Sequence, residues 1–171
     1  MANSIYQKMT REELLDVLDM YSKNWLAMDG VWFQSVEKKY GMEEAIEHDE
    51  NAWRVYTVAE AKRIKSFLHL SDNPGLDGLK RALELRMYAN LNTYEIEITG
   101  NVLVYKTVDC RVQTARNRKG MPYHPCKSVG IIEYSLFAQT IDDRFTCECV
   151  SCFPDITDKD CACVWRFTLH E

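Results

Sequence analysis

The sequence predicts an α+β fold: N-terminal helices packed on a four-stranded antiparallel sheet, with a Cys-rich C-terminal hairpin. A change of rhythm is the first sign. Apolar residues recur every three or four positions up to about residue 90, then every two positions from Tyr94 onward. The second sign is the element order. Three helical segments, a hairpin, a helix and a second hairpin place the helices on one face of the sheet. The third is the cysteines, since five of the seven fall at 147, 149, 152, 161 and 163, in and beside the last two strand-like runs.

Each element has a local cause. Thr10-Arg11-Glu12-Glu13 is a capping box. Leu14, Leu15, Leu18, Tyr21, Trp25, Met28, Trp32, Val36 and Tyr40 then form one stripe, which predicts a helix over about 11–40. Gly30 within it marks a break or a close contact, and Gly41 reads as the stop. A second helix is expected over about 43–69, with Ala45, Ile46, Trp53, Tyr56, Ala59, Ile64, Phe67 and Leu68 on its core face. Asp72-Asn73-Pro74-Gly75 is a turn, because Pro fixes φ and Gly accepts a positive one. A third helix follows over about 76–90. Tyr94, Ile96 and Ile98 alternate along a strand, Gly100-Asn101 is a hairpin turn, and Val102–Val108 returns. The basic run 111–119 is a short helix or an exposed arm, and 121–126 is loop. Residues 129–141 predict a helix, 144–150 and 161–169 two strands, and 154–160 the loop joining them. The whole chain, 1–171, reads as a single domain with a helical part over about 10–90 and a mixed part over about 93–170.

Composition excludes several classes. Apolar residues make up 46% and charged residues 27%, which rules out wholesale disorder. No apolar run approaches the roughly 20 residues of a bilayer span. The first eight residues hold no apolar signal core, so a cytoplasmic protein is expected, with no membrane partner. A net charge of −5 argues against nucleic acid. Phosphate-binding glycine motifs, H-E-x-x-H and G-x-S-x-G are absent. His48, His69, His124 and His170 are widely spaced; His124 is near Cys126 and is a substitute ligand or an exposed loop residue.

The thiols carry the chemistry. In a reducing compartment, clustered cysteines point to metal or redox work rather than disulfides. Cys149-Val150-Ser151-Cys152 is a C-x-x-C, suited to two ligands on one tetrahedral ion. If the last two strands pair, Cys161 and Cys163 meet it across the ladder, and they share a face by the two-residue period. Cys126, at the start of a predicted helix, supplies the fourth thiolate, favoured there by the helix dipole. Four thiolates suit zinc in a closed, structural site; an iron–sulfur cluster is the rival cofactor. A thioredoxin-like redox pair lacks its βαβ context.

Cys126, Cys149, Cys152 and Cys161 or Cys163 resemble the zinc arrangement of 4-vinyl-reductase domains, which include aromatic-sensing domains of bacterial transcription activators. Over its length, through Trp25…Asp29-Gly30…Trp32-Phe33, Cys110-Arg111-Val112-Gln113 and Cys163…Trp165-Arg166-Phe167, the chain resembles a group of small uncharacterised cytosolic prokaryotic proteins. These are similar in turn to 2-amino-thiazoline-4-carboxylate hydrolases. The resemblance implies a zinc site and favours Cys163 over Cys161, as the cysteine just before Trp165-Arg166-Phe167.

A small-molecule site is legible on the first helix. Trp25, Asp29, Trp32 and Phe33 stand at i, i+4, i+7 and i+8, one face with one carboxylate. They read as a pocket wall with an orienting acid, or as a packed edge with Asp29 bonded to an arginine. Glu37, Glu60 and Glu133 lie among apolar residues on the same terms, and Glu133 sits just after Cys126 on the next helix. Arg111, Arg116, Arg118, Lys119 and Lys127 concentrate positive charge, and Arg111 is the one expected to face inward toward an anionic ligand. The expected function is a zinc-containing domain that binds a small organic molecule, an anionic one included. The alternatives are a hydrolase of a small carboxylate-bearing heterocycle, with Arg111 holding the carboxylate and Asp29 or Glu133 as general base, and an iron–sulfur redox protein. A homodimer is open.

Overall fold

The computed structural model describes residues 5–171; the leaderless reading of the N-terminus rests partly on residues 1–4, which lie outside them. Helix α1 (Arg11–Tyr40) starts at the expected capping box: Glu13 N donates to Thr10 Oγ1 at 3.2 Å and Thr10 N to Glu13 Oε2 at 2.7 Å. The helix passes Gly30 unbroken and ends at Gly41, whose φ of +96° lets α2 (Met42–Phe67) follow at once. Helix α3 (Gly75–Glu84) is shorter than its periodicity predicts. It gives way before Arg86, which is extended (ψ 148°) and turns inward, and the chain resumes as a 3-10 turn over Met87–Asn90.

Strands β1 (Thr93–Thr99) and β2 (Val102–Asp109) form the first hairpin. The basic run is a helix, α4 (Arg111–Arg118), and not an arm. Then come α5 (Lys127–Ile141), β3 (Phe145–Cys152) and β4 (Cys163–Leu169). The sheet order is β1-β2-β4-β3, with each neighbouring pair antiparallel. The architecture is α+β, as expected. Among the described residues, no helix is long and apolar enough to cross a membrane.

Helix α5 lies between α2 and the sheet. Its buried positions, Val129, Gly130, Glu133, Tyr134, Phe137, Ala138 and Ile141, repeat at helical spacing. They meet Leu103, Tyr105, Trp165 and Phe167 of the sheet, all buried. On the other side Thr57 donates to the Glu133 carbonyl at 3.0 Å. Gly130 permits the closest approach, since a Cβ there would stand 2.5 Å from Trp165 Cζ2. The helix ends at Asp142, whose carboxylate accepts from Gly75 N at 3.0 Å and from Arg144 Nη2 at 2.8 Å, tying α5 to α3.

Two core assignments need correction. The α1 stripe is helical but mostly uncovered: Leu15, Leu18, Tyr21, Met28, Trp32 and Tyr40 are exposed, because α1 rests chiefly on α2 and the 3-10 turn. On α2, Phe67 is 71% exposed, while Thr57, Glu60 and Ala61 take the buried face.

Gly130→Ala is expected to cost about 1–3 kcal/mol, because the indole behind it must move. Gly30→Ala, whose Cβ meets only Gln34 Nε2 at 3.7 Å, is expected to gain up to about 1 kcal/mol from helix propensity. Urea midpoints of the two variants check this pair. Arg144 and the neighbouring amides hold Asp142 down to about 2. A depressed carboxylate stabilises the fold above its unfolded pKa and loses that contribution as pH falls through the folded value. The difference in urea midpoint between wild type and Asp142→Asn is therefore expected to shrink as pH drops from about 5 to about 2.

Candidate functional site

The β3–β4 ladder gathers the thiols. Cys152 stands opposite Cys163 and Cys149 opposite Trp165, with a register shift between Cys149 and Ser151. Residues three apart on a regular strand face opposite ways; the extra residue of the bulge turns Cys149 and Cys152 to one side. Cys126 arrives from the residue before α5, and its Sγ lies 3.5 Å from Cys152 Sγ. Cys152 also hydrogen-bonds with Cys163 and Cys149. Nitrogen donors point at the outer sulfurs: Trp165 Nε1 at 3.3 Å from Cys163 Sγ, and Gln113 Nε2 at 3.5 Å from Cys126 Sγ. Cys161 instead points at the Asp158 carbonyl, 3.9 Å away.

The electrostatics are those of crowded sulfur. Contacts with Cys126 and Cys163, then burial, push the Cys152 thiol far above the ordinary range. The hydrogen bond with Cys152, helped by Thr107 and Trp165, holds Cys163 below it. One sulfur becomes a thiolate only while its neighbour keeps a proton, and a divalent cation would remove that conflict. Among the described residues, no three His, Cys, Asp or Glu side chains already stand as a metal-ligand group. The donor set nonetheless fits a soft divalent ion. Thiolates at tetrahedral corners about 2.3 Å from zinc lie about 3.8 Å apart, near the 3.5 Å between Cys126 and Cys152. The N–H donors are also of the kind that stabilises anionic sulfur.

Cys126, Cys152 and Cys163 line a cavity of about 370 Å³. Its other walls include Asp29 and Phe33 of α1, Asp49 and Trp53 of α2, Tyr88, His124 and Glu133. Tyr88 donates to Asp29 Oδ2 at 3.4 Å. Burial pushes the Asp29 carboxyl up, and burial reinforced by Asp29 and Glu133 pushes Asp49 up to about 7. His124 packs edge-on against Phe33, is only 8% exposed, and its Nε2 has no hydrogen-bond partner.

Beneath the cavity lies a buried ion network. Arg86 reaches Glu60 Oε2 at 2.8 Å and Glu133 Oε1 at 2.6 Å, and its guanidinium lies over the Phe137 ring at 4.7 Å. Arg116 grips Glu37 with two nitrogens, at 2.7 and 2.8 Å. Of the residues expected in a pocket, Asp29, Phe33, Arg111 and Glu133 line this cavity. Arg111 does so from an exposed position; the buried arginine of the basic run is Arg116. Trp25 sits outside the lining, stacked on Tyr56 with centroids 5.5 Å apart. Trp32 is 65% exposed and outside it as well, because the stripe that unites Trp25, Asp29 and Trp32 turns partly to solvent. Asp29 is held by a tyrosine rather than an arginine. Asp49 and Arg86 were not marked as site residues by the sequence, and His124, read there as a substitute ligand or an exposed loop residue, is buried in the cavity wall. Asp49 stands one helical turn before Trp53 and hydrogen-bonds with it, a spacing that was its only signal.

Residues 7–169 match a family of unknown function (DUF6125), and the chain belongs to that family. A search of curated proteins finds no match.

Arg86→Leu would leave Glu60 and Glu133 buried without their cation, and a loss of about 3–5 kcal/mol is expected. Glu133→Gln keeps the Arg86–Glu60 pair and should cost clearly less. Urea denaturation of both variants measures the difference.

Proposed function

We propose that this DUF6125 member is a zinc-containing domain that binds a small organic molecule in the cavity beside the metal. Cys126, Cys149, Cys152 and Cys163 hold one zinc ion, which ties the start of α5 to the β3–β4 hairpin. One observation carries the reading: thiols from three separate elements meet around Cys152, and three of them also form the wall of an aromatic, acid-lined cavity. A volume of about 370 Å³ falls within the range of small-molecule sites. Zinc, when bound, supplies charge neutralisation and a cross-link between the two elements. The chain's own residues do the rest: Gln113 and Trp165 orient two of the sulfurs, and Phe33, Trp53 and Tyr88 give the cavity an apolar wall. The cysteine arrangement also resembles that of 4-vinyl-reductase domains, which supports the same reading.

A hydrolase of an amino-thiazoline-type carboxylate is the second reading. It is favoured by Arg111, Asp29 and Glu133 lining one cavity. Turnover of such a ring, lost in Arg111→Ala, would carry it. Glu133 is a weak candidate for the base, because Arg86 already holds it.

Elemental analysis of anaerobically purified, colourless protein is expected to give about one zinc per chain. Cys126→Ala and Cys152→Ala should lose the metal, while Cys147→Ser and Cys161→Ser keep it. Chelation of the wild type should lower its thermal midpoint, as for any ligand that binds only the folded state. A brown protein containing iron and sulfide would favour the cluster instead, and full zinc occupancy in Cys126→Ala would overturn the ligand set.

A further inference from the structure

The cavity is lined by Asp29, Asp49 and Glu133 and by four basic residues, of which Lys23, Arg111 and Lys119 are exposed. Arg86 is engaged by Glu60 and Glu133, and Arg116 by Glu37. Asp29 and Asp49 are left. Asp29 receives the Tyr88 hydroxyl, and Asp49 a hydrogen bond from Trp53. Among the described residues, neither carboxylate is ion-paired with a lysine or arginine; His124 Nε2 lies 3.7 Å from Asp49 Oδ2. Asp29 and Asp49 line the same cavity, where both can act on one guest. An independent sign is His124, a buried residue of the same lining whose Nε2 makes no hydrogen bond. An unpartnered buried ring nitrogen and two half-buried carboxyls without a lysine or arginine together suit a donor from outside.

We propose that the cavity takes a small organic cation, an ammonium or amidinium on a flat apolar body. Its N–H groups bond Asp29 and Asp49, with His124 Nε2 as a further acceptor, and its body lies against Phe33, Trp53 and Tyr88. Such a cation satisfies the two carboxylates by charge-assisted hydrogen bonds and gains from the aromatic faces. An anion entering the same space meets two carboxyls, while the basic residues of the lining are exposed (Lys23, Arg111, Lys119) or engaged with Glu37 (Arg116). The inference rests on reading the cavity as a ligand site and adds the sign of the ligand's charge.

Titration calorimetry of the full chain with benzamidine, benzamide and benzoate tests it. The three share a ring and differ in charge. Benzamidine is expected to bind at least about tenfold tighter than benzamide, and benzoate weakest of the three. Asp29→Asn and Asp49→Asn should each weaken benzamidine by about tenfold or more while leaving benzamide within about twofold. Benzamide or benzoate binding as tightly as benzamidine would overturn the cation and leave the ligand site standing. Failure of all three to bind the wild type would overturn both. Unchanged benzamidine affinity in both aspartate variants would place any binding elsewhere and overturn the assignment.

Discussion

Helix α5 is buried on two sides, and the rest of the molecule is arranged around that constraint. Trp165 reaches it from the sheet at Gly130, where no side chain fits. Helix α2 closes the other side, and Thr57 bonds the Glu133 carbonyl. A helix buried on both faces cannot send a charged residue to water, so Glu133 has to be neutralised inside. Arg86 does this, and the early end of α3 follows, because Arg86 must leave the helix to reach Glu60 and Glu133. The two ends of α5 are fixed as well, by Cys126 beside Cys152 at one and Asp142 beside Gly75 at the other.

The cavity inherits its character from that arrangement. With the two buried arginines committed to glutamates, the acids nearest the open space keep only neutral donors. Burial and proximity raise both carboxyls. The same crowding acts on the sulfurs, where a proton or a cation must separate neighbouring negative charge. The proposed zinc and the proposed organic cation each answer groups of one cavity lining that their neighbours leave without a cation.

Much of the fold was legible because it rests on local causes. The capping box, Gly41, the Gly-Asn turn signal at Gly100-Asn101 and the switch from helical to alternating rhythm each act within a few residues. The grouping of Cys126, Cys149 and Cys152 with Cys161 or Cys163 was readable from spacing together with the expected pairing of the last two strands, and the preference for Cys163 came from the family resemblance. The bulge that makes the C-x-x-C work on a strand was not, since a bulge is a property of two strands in register. The α1 stripe shows the opposite error. Periodicity reports that a helix has an apolar face, and says nothing of whether a neighbour covers it.

By itself, the sequence determined which segments are helix and strand, their order, the α+β class and the thiols able to meet. These depend on backbone preference and period, which travel with the chain. Tertiary structure alone decided which charges are committed. Arg116 rather than Arg111 goes inside, Asp49 and His124 reach the cavity, and Trp32 turns to solvent. Partners lie 76 or more residues apart in pairs such as Thr57 with Glu133 and Glu37 with Arg116. Only packing in three dimensions sets which of many equivalent charged residues is desolvated, because burial energy depends on the whole neighbourhood and not on sequence position.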